Sequence, residues 1–240
     1  MGSSITRLPD DVALATAVAS LWLDHVANAA RSGSPHRVAL AGGRITRRFL
    51  ATTAQLARER GISLRSVDFF WGDERCVPPD DAESNFRLAH ETLLGPANVP
   101  ETRIHRILGE LDPAAAAALA EQELRRVTGA MGPVIPVLDL VFLGMGEDAH
   151  VASLFPDAPP SVTESPGVFV GTTGPKPPPR RVSLTYRALA AAREVWVLAS
   201  GSGKQAALHS SLSPQPGSQE TPLARVLRER PETRIFTDIH

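Results

Sequence analysis

His150 has the neighbours a proton-transferring residue needs. It lies two positions after Asp148, and the acid pair Glu147-Asp148 follows Gly144-Met145-Gly146 at the end of an apolar run, residues 140–143. A carboxylate this close can fix the tautomer of an imidazole that serves as general base. The plainer alternative is a helix-capping Asp148 beside a packed histidine. Three other segments have the same form, an apolar run that stops at glycine and then turns polar: Gly42-Gly43-Arg44, Gly72-Asp73-Glu74-Arg75, and Gly201-Ser202-Gly203-Lys204. Glycines let backbone N–H groups approach an anion, and a helix starting there adds a favourable field. The glycine spacing fits neither a Walker loop nor a dinucleotide fingerprint. Arg75, Arg181 and Lys204 supply donors suited to carboxylate or phosphate. Taken singly, each could be a tight turn, a surface ion pair or a solvated base.

These segments gain meaning only if the fold brings them together. Residues 10–31 carry apolar side chains at helical spacing (Val12, Ala15, Val18, Ala19, Trp22, Leu23, Val26) behind an acidic start, and predict an amphipathic helix. Strands are expected over residues 37–41, 64–71 and 137–143. Shorter ones are expected over 168–170, 181–185, 194–199 and 233–237. Helices are expected over 46–60, 84–94, 113–129, 203–210 and 222–230, and the small-residue run after His150 resembles a further helix start. Residues 171–179 and 210–221 read as loops. The alternation predicts one α/β domain over residues 1–240, Rossmann-like, with a mostly parallel sheet flanked by helices on both faces. All carboxyl ends of such a sheet lie on one edge, so the four polar loops should converge there.

Composition excludes several classes. The net charge is −1, which makes no case for nucleic acid or an acidic membrane surface. One cysteine, Cys76, rules out an intrachain disulfide framework, and a cytoplasmic location is expected. The start of the chain reads as lacking a long apolar stretch, hence neither signal peptide nor membrane span. Residues 1–6 fit a myristoylation pattern that is short and common by chance. No metal is expected, because His150 has no HxH or HxxxH companion and Cys76 no ligand nearby. No Gly-x-Ser-x-Gly elbow is present. His36, His90, His105 and His209 show no partners in the sequence and read as surface or structural.

The stretches DFFWGDERCVPPDDAESNFRLA, DLVFLGMGEDAHVASLFP and RRVSLTYRALAAAREVWVLASGSGK resemble the 6-phosphogluconolactonase family, in the family's order and over nearly the whole chain. The resemblance implies a Rossmann-like fold shared with glucosamine-6-phosphate deaminases. It implies metal-free, cofactor-free hydrolysis of 6-phospho-D-glucono-1,5-lactone to 6-phospho-D-gluconate in the oxidative pentose phosphate pathway. It makes His150 the general base, with Asp148, Arg75 and Asp73 beside it. It assigns Gly42, Gly43, Arg44, Asn85, Arg181 and Lys204 to binding substrate and phosphate. The expected partner is the small sugar-phosphate lactone, and the protein would be a monomer or small homo-oligomer.

Three departures from the family pattern stand out. The first loop reads Ala41-Gly42-Gly43-Arg44-Ile45-Thr46 where SGGSTP is common, so hydroxyls give way to a guanidinium. Ala149 stands where glycine is usual, and alanine disfavours a positive φ. Val151 replaces threonine. Two other readings stay open: a non-catalytic or altered sugar-phosphate binder, and an isomerase or deaminase on the same fold. Arg75 and the SLFP segment argue against the last, because deaminases commonly carry tyrosine and FNEP there.

Overall fold

In the computed structural model, residues 3–215 and 217–240 are described; Gly2 of the myristoylation pattern and Pro216 of the second loop lie outside them. The buried strands are short runs of nearly continuous apolar sequence, as strands covered on both faces should be. They are β2 (His36–Leu40), β3 (Val67–Trp71), β5 (Leu140–Gly144) and β8 (Val195–Ala199). With β1 (Ser4–Arg7) and β9 (Arg234–Thr237) they form a six-stranded sheet in the order β1-β9-β8-β5-β2-β3, and every pairing is parallel. β1 was not foreseen, because Ser-Ile-Thr-Arg carries a single apolar residue and only pairing with β9 makes it a strand.

The helices are α1 (Asp11–Ser32), α2 (Arg44–Glu59), α3 (Asn85–Ala89), α4 (Pro113–Thr128), α5 (Pro160–Thr163), α6 (Tyr186–Ala191), α7 (Gln205–Leu212) and α8 (Pro222–Glu229). The expected single helix over 84–94 is α3 followed by one π-helical stretch, His90–Leu94. α1 starts at Asp10, whose side chain accepts from Ala13 N at 2.7 Å, and ends at Gly33 in the left-handed region, φ 64°. By length and composition α1 could cross a membrane, with mean hydropathy 1.2 over 18 residues, contrary to the expectation that no such stretch exists. Its apolar stripe is spent on the core instead. Trp22 packs against Phe49, Phe69 and Phe142 at 5.7, 6.3 and 5.2 Å, and its indole N–H donates to buried His36 at 3.0 Å.

Two strands expected in the main sheet belong elsewhere. β6 (Phe169–Thr173) and β7 (Arg180–Leu184) join β4 (Asp73–Arg75) in a separate antiparallel sheet, order β4-β7-β6. Gly72 is the junction. Its N–H donates to Leu40 O in the parallel sheet at 2.8 Å, and its carbonyl accepts from Leu184 N at 2.7 Å. The chain therefore leaves β3 and immediately pairs as β4, and Asp73 and Arg75 stand on a strand where a loop was expected.

β2 runs to β3 on one side, whereas β5 lies on the other side of β2. The crevice beyond β2 and β5 is thus the point where strand order reverses, the place where open α/β sheets take ligands. The loops after β2 and β5 flank it.

Candidate active site

The four polar loops converge as the sequence predicts. Gly42, Gly43, Arg44, Asp73, Asn85 and Lys204 share one cavity of about 260 Å³ with Arg75, His150 and Arg181. An adjoining cavity of about 530 Å³ is lined by Arg75, Glu147, Asp148, His150, Phe155, Lys176 and Arg181, among others. Every residue expected at the site lines one of the two.

His150 sits in a tight turn, not at a helix start. Ala149 N donates to Gly146 O at 3.1 Å, and Gly146 N donates to His150 O at 2.9 Å. Ala149 (φ 64°) and Ala152 (φ 49°) both adopt the left-handed region, which stops the run from becoming helical. Val151 pairs back with Met145 and with Leu154 in single bridges. Ala149 thus takes the conformation that glycine would take more readily, and its methyl group is completely buried. The turn folds the side chains onto Gly146, where a Cβ would overlap both His150 Nδ1 and Asp148 Oδ1.

His150 Nδ1 lies 2.5 Å from Asp148 Oδ1, and Asp148 also accepts from His150 N at 3.2 Å. The hydrogen bond to His150 holds the Asp148 carboxyl down to about 2, against partial burial. The ring packs against Phe155 at 4.7 Å. With Nδ1 committed, Nε2 is the nitrogen left to the cavity.

The acids of β4 have separate tasks. Asp73 accepts from Ser153 Oγ at 2.6 Å, and its carbonyl accepts from Asn85 Nδ2 at 3.0 Å. Glu74 points the other way, into the protein. It accepts from Arg75 N (2.7 Å), Asn85 N (2.8 Å), Phe86 N (2.7 Å) and Ser84 Oγ (3.2 Å), which fixes the start of α3. Burial pushes its carboxyl up to about 7 even against those donors, and the negative charge of Asp73 adds to the rise. Asn85, held by both acids, packs so tightly on Gly42 that a Cβ there would overlap the amide. The GDER and SN segments are therefore one hydrogen-bonded unit that sets the position of the Gly42-Gly43 loop.

α2 begins at Gly43, φ 98°, with no side-chain cap, so its first N–H groups are open to the cavity. Burial and then the nearby Arg44 guanidinium lower Lys204 from its ordinary value. Burial and then Arg75 lower Arg181. Arg44 and Lys204, two cations that share the cavity at the start of α2, form a cradle for an anion.

Some expected donors are already engaged. Arg181 Nε donates to Pro178 O at 3.2 Å and Nη2 to Lys176 O at 3.3 Å, with the guanidinium 5.7 Å above the Phe155 ring. Arg75 Nη1 donates to Glu83 O at 2.8 Å and Oε2 at 3.2 Å. Lys176 also lines both cavities, although GPKPPP reads as a connector. A lysine set among prolines was the available signal, since prolines fix the backbone that carries it.

Among the described residues no three His, Cys, Asp or Glu side chains gather as a metal site would require. His105, expected to be surface or structural and without a visible partner, is structural and paired. It lies between Asp68 and Glu123, away from these cavities.

The family model for glucosamine-6-phosphate isomerases/6-phosphogluconolactonase matches residues 9–235. The 6-phosphogluconolactonase of Mycobacterium tuberculosis is 35% identical over 222 residues, covering 88% of this chain and 87% of the relative. That of Streptomyces coelicolor is 37% identical over 211 residues, covering 85% and 80%. Among solved structures, 6-phosphogluconolactonase from Trypanosoma cruzi superposes with a TM-score of 0.82 at 27% identity, covering 98% of this chain and 94% of that one. A monomeric glucosamine-6-phosphate deaminase superposes with a TM-score of 0.80 at 16% identity, a likeness of fold alone. The chain belongs to the glucosamine-6-phosphate isomerase/6-phosphogluconolactonase family.

Proposed function

We propose that this protein hydrolyses 6-phospho-D-glucono-1,5-lactone to 6-phospho-D-gluconate, the lactone-opening step of the oxidative pentose phosphate pathway. The observation that carries the proposal is the His150–Asp148 pair, 2.5 Å apart, beside an uncapped helix start flanked by Arg44 and Lys204. The relatives named 6-phosphogluconolactonase support the same substrate. A lactone is an activated ester, so a positioned base and water suffice and no covalent nucleophile is needed.

The phosphate lies against the Gly42-Gly43 backbone, Arg44 and Lys204. This fixes the sugar and converts the attack into a near-unimolecular event. His150 Nε2 takes a proton from water as the water oxygen bonds to C1, while Asp148 holds the ring and balances the imidazolium charge. Such a base contributes about 10²–10⁴-fold. When the tetrahedral intermediate collapses, the C1–ring oxygen bond breaks and His150 returns its proton to that oxygen. Asp73 and Asn85 keep the Gly42 loop in place, and Arg44 replaces with charge the hydroxyls that the loop lacks. The chain does this as one domain, because a single hydrophobic cluster runs from α1 to β9.

The test is direct. Purified protein is mixed with freshly generated 6-phosphogluconolactone and acid release is followed. Release well above the spontaneous rate is expected, and a rate equal to the spontaneous one would overturn the proposal.

A further inference from the structure

Three cations line the cavity that holds the His150–Asp148 pair: Arg75, Arg181 and Lys176. Two of them are already engaged. Arg75 Nη1 is held by Glu83, and its Nε is buried with no acceptor. Arg181, only 7% exposed, donates to the carbonyls of Pro178 and Lys176. The ion pairs of this neighbourhood are Arg75–Glu83, His150–Asp148 and Arg180–Asp112, which leave the Lys176 ammonium unpaired among the described residues.

The backbone that carries Lys176 is firmly held. It lies between β6 and β7 among Pro175, Pro177, Pro178 and Pro179, and each proline fixes its own φ. Gly174 N donates to Pro179 O at 2.7 Å and closes the hairpin. A Cβ at Gly174 would press on Phe155 Cζ at 2.8 Å and Arg181 Nε at 3.0 Å, so the hairpin lies directly on the ring that backs His150. A buried arginine that spends two donors on the carbonyls of an exposed hairpin has a positioning task, and the residue so positioned is a lysine.

Arg44 and Lys204 line the first cavity only, whereas Lys176 lines both cavities, as do His150, Arg75 and Arg181. In the lactonase reading C1 lies against His150 Nε2, and Lys176 lines the same two cavities as His150. We infer that Lys176 donates from its ammonium group to the lactone carbonyl oxygen and stabilises the oxyanion that forms there, and that Arg181 positions Lys176. This rests on the lactonase reading above. As the water oxygen bonds to C1, the carbonyl π electrons move to the carbonyl oxygen, whose charge is met by Lys176. When the carbonyl re-forms, the C1–ring oxygen bond breaks and the proton held by His150 goes to the ring oxygen.

Steady-state kinetics of wild type, Lys176→Ala and Lys176→Arg with 6-phosphogluconolactone test this. Lys176 is exposed, so an unchanged thermal midpoint is expected in both variants. Lys176→Ala should lower kcat on the order of 10- to 100-fold with KM within about threefold, the signature of an interaction made in the transition state. Lys176→Arg should recover part of that loss. A kcat for Lys176→Ala within about twofold of wild type would overturn the inference and leave the lactonase reading standing. A loss confined to KM would overturn it by moving Lys176 to the phosphate, and Lys176→Arg as slow as Lys176→Ala would overturn it as well. A wild type without activity removes both readings at once.

Discussion

His150 and His105 each sit beside carboxylates, and the two pairs are built for opposite ends. His105 lies against Phe70 at 4.5 Å, nearly parallel to it, with Nδ1 2.8 Å from Glu123 Oε1 and Nε2 3.1 Å from Asp68 Oδ1. Arg103 and Arg126 close the cluster by pairing with Asp68 and Glu123. Both ring nitrogens are used, and the side chain is 4% exposed. His150 has one carboxylate, on Nδ1, and its side chain is 31% exposed at a cavity. A carboxylate beside a histidine is therefore not by itself a mark of catalysis. What matters is a second nitrogen that faces a space large enough for water and substrate.

The strongest way to break this contrast is to delete each ring. His150→Ala should lower kcat by about 10²–10⁴-fold. Asp148→Asn keeps the shape but offers the wrong hydrogen-bond partner to Nδ1, and a loss of at least about 10-fold is expected. A variant as fast as wild type at either position would remove that residue from the mechanism. His105→Ala should do the reverse. It breaks a buried charged cluster and removes the ring stacked on Phe70, at a cost of about 3 kcal/mol in chemical denaturation. Activity per folded molecule should stay unchanged, and a selective loss of kcat would show that the His105 cluster also serves the site.

The pH dependence of stability sharpens the same contrast. Glu123 is held down to about 2, first by Arg126 and then by His105, and Asp148 to about 2 by His150. Carboxyls depressed in the fold stabilise it fully only above their unfolded values, about 4. That contribution fades as pH falls from about 4 toward 2. Thermal midpoints measured over this window should fall for wild type, and Glu123→Gln should flatten the decline. An equal slope in the variant would show that the cluster contributes nothing through ionisation.

The smallest effect is expected at Ala149. Glycine would relieve the left-handed backbone at φ 64° but would remove a fully buried methyl, two terms of about 1 kcal/mol each and opposite sign. Ala149→Gly should therefore change stability by less than about 1 kcal/mol and leave kcat within about twofold. A large gain in kcat would mean that alanine misdirects His150.

The sequence by itself determined the strands that end in polar loops, because continuous apolar runs such as residues 140–143 and Val195–Ala199 have no alternative to burial. It also determined the glycines and charges at their carboxyl ends, and with them the residues lining the crevice between β2 and β5. It did not show that Asp73–Arg75 would leave the parallel sheet, that residues 149–152 would turn instead of coil into a helix, or that His105 would find two carboxylates. Those outcomes depend on partners distant in the chain: Gly72 with Leu40 and Leu184, Ala149 with Leu223, His105 with Asp68 and Glu123. Local periodicity reports which face of an element is apolar, whereas only tertiary packing decides which polar atoms meet. For that reason the proposed base is legible from Asp148 and His150, two residues apart, whereas the place of the lysine on the proline hairpin depends on how the hairpin lies across Phe155.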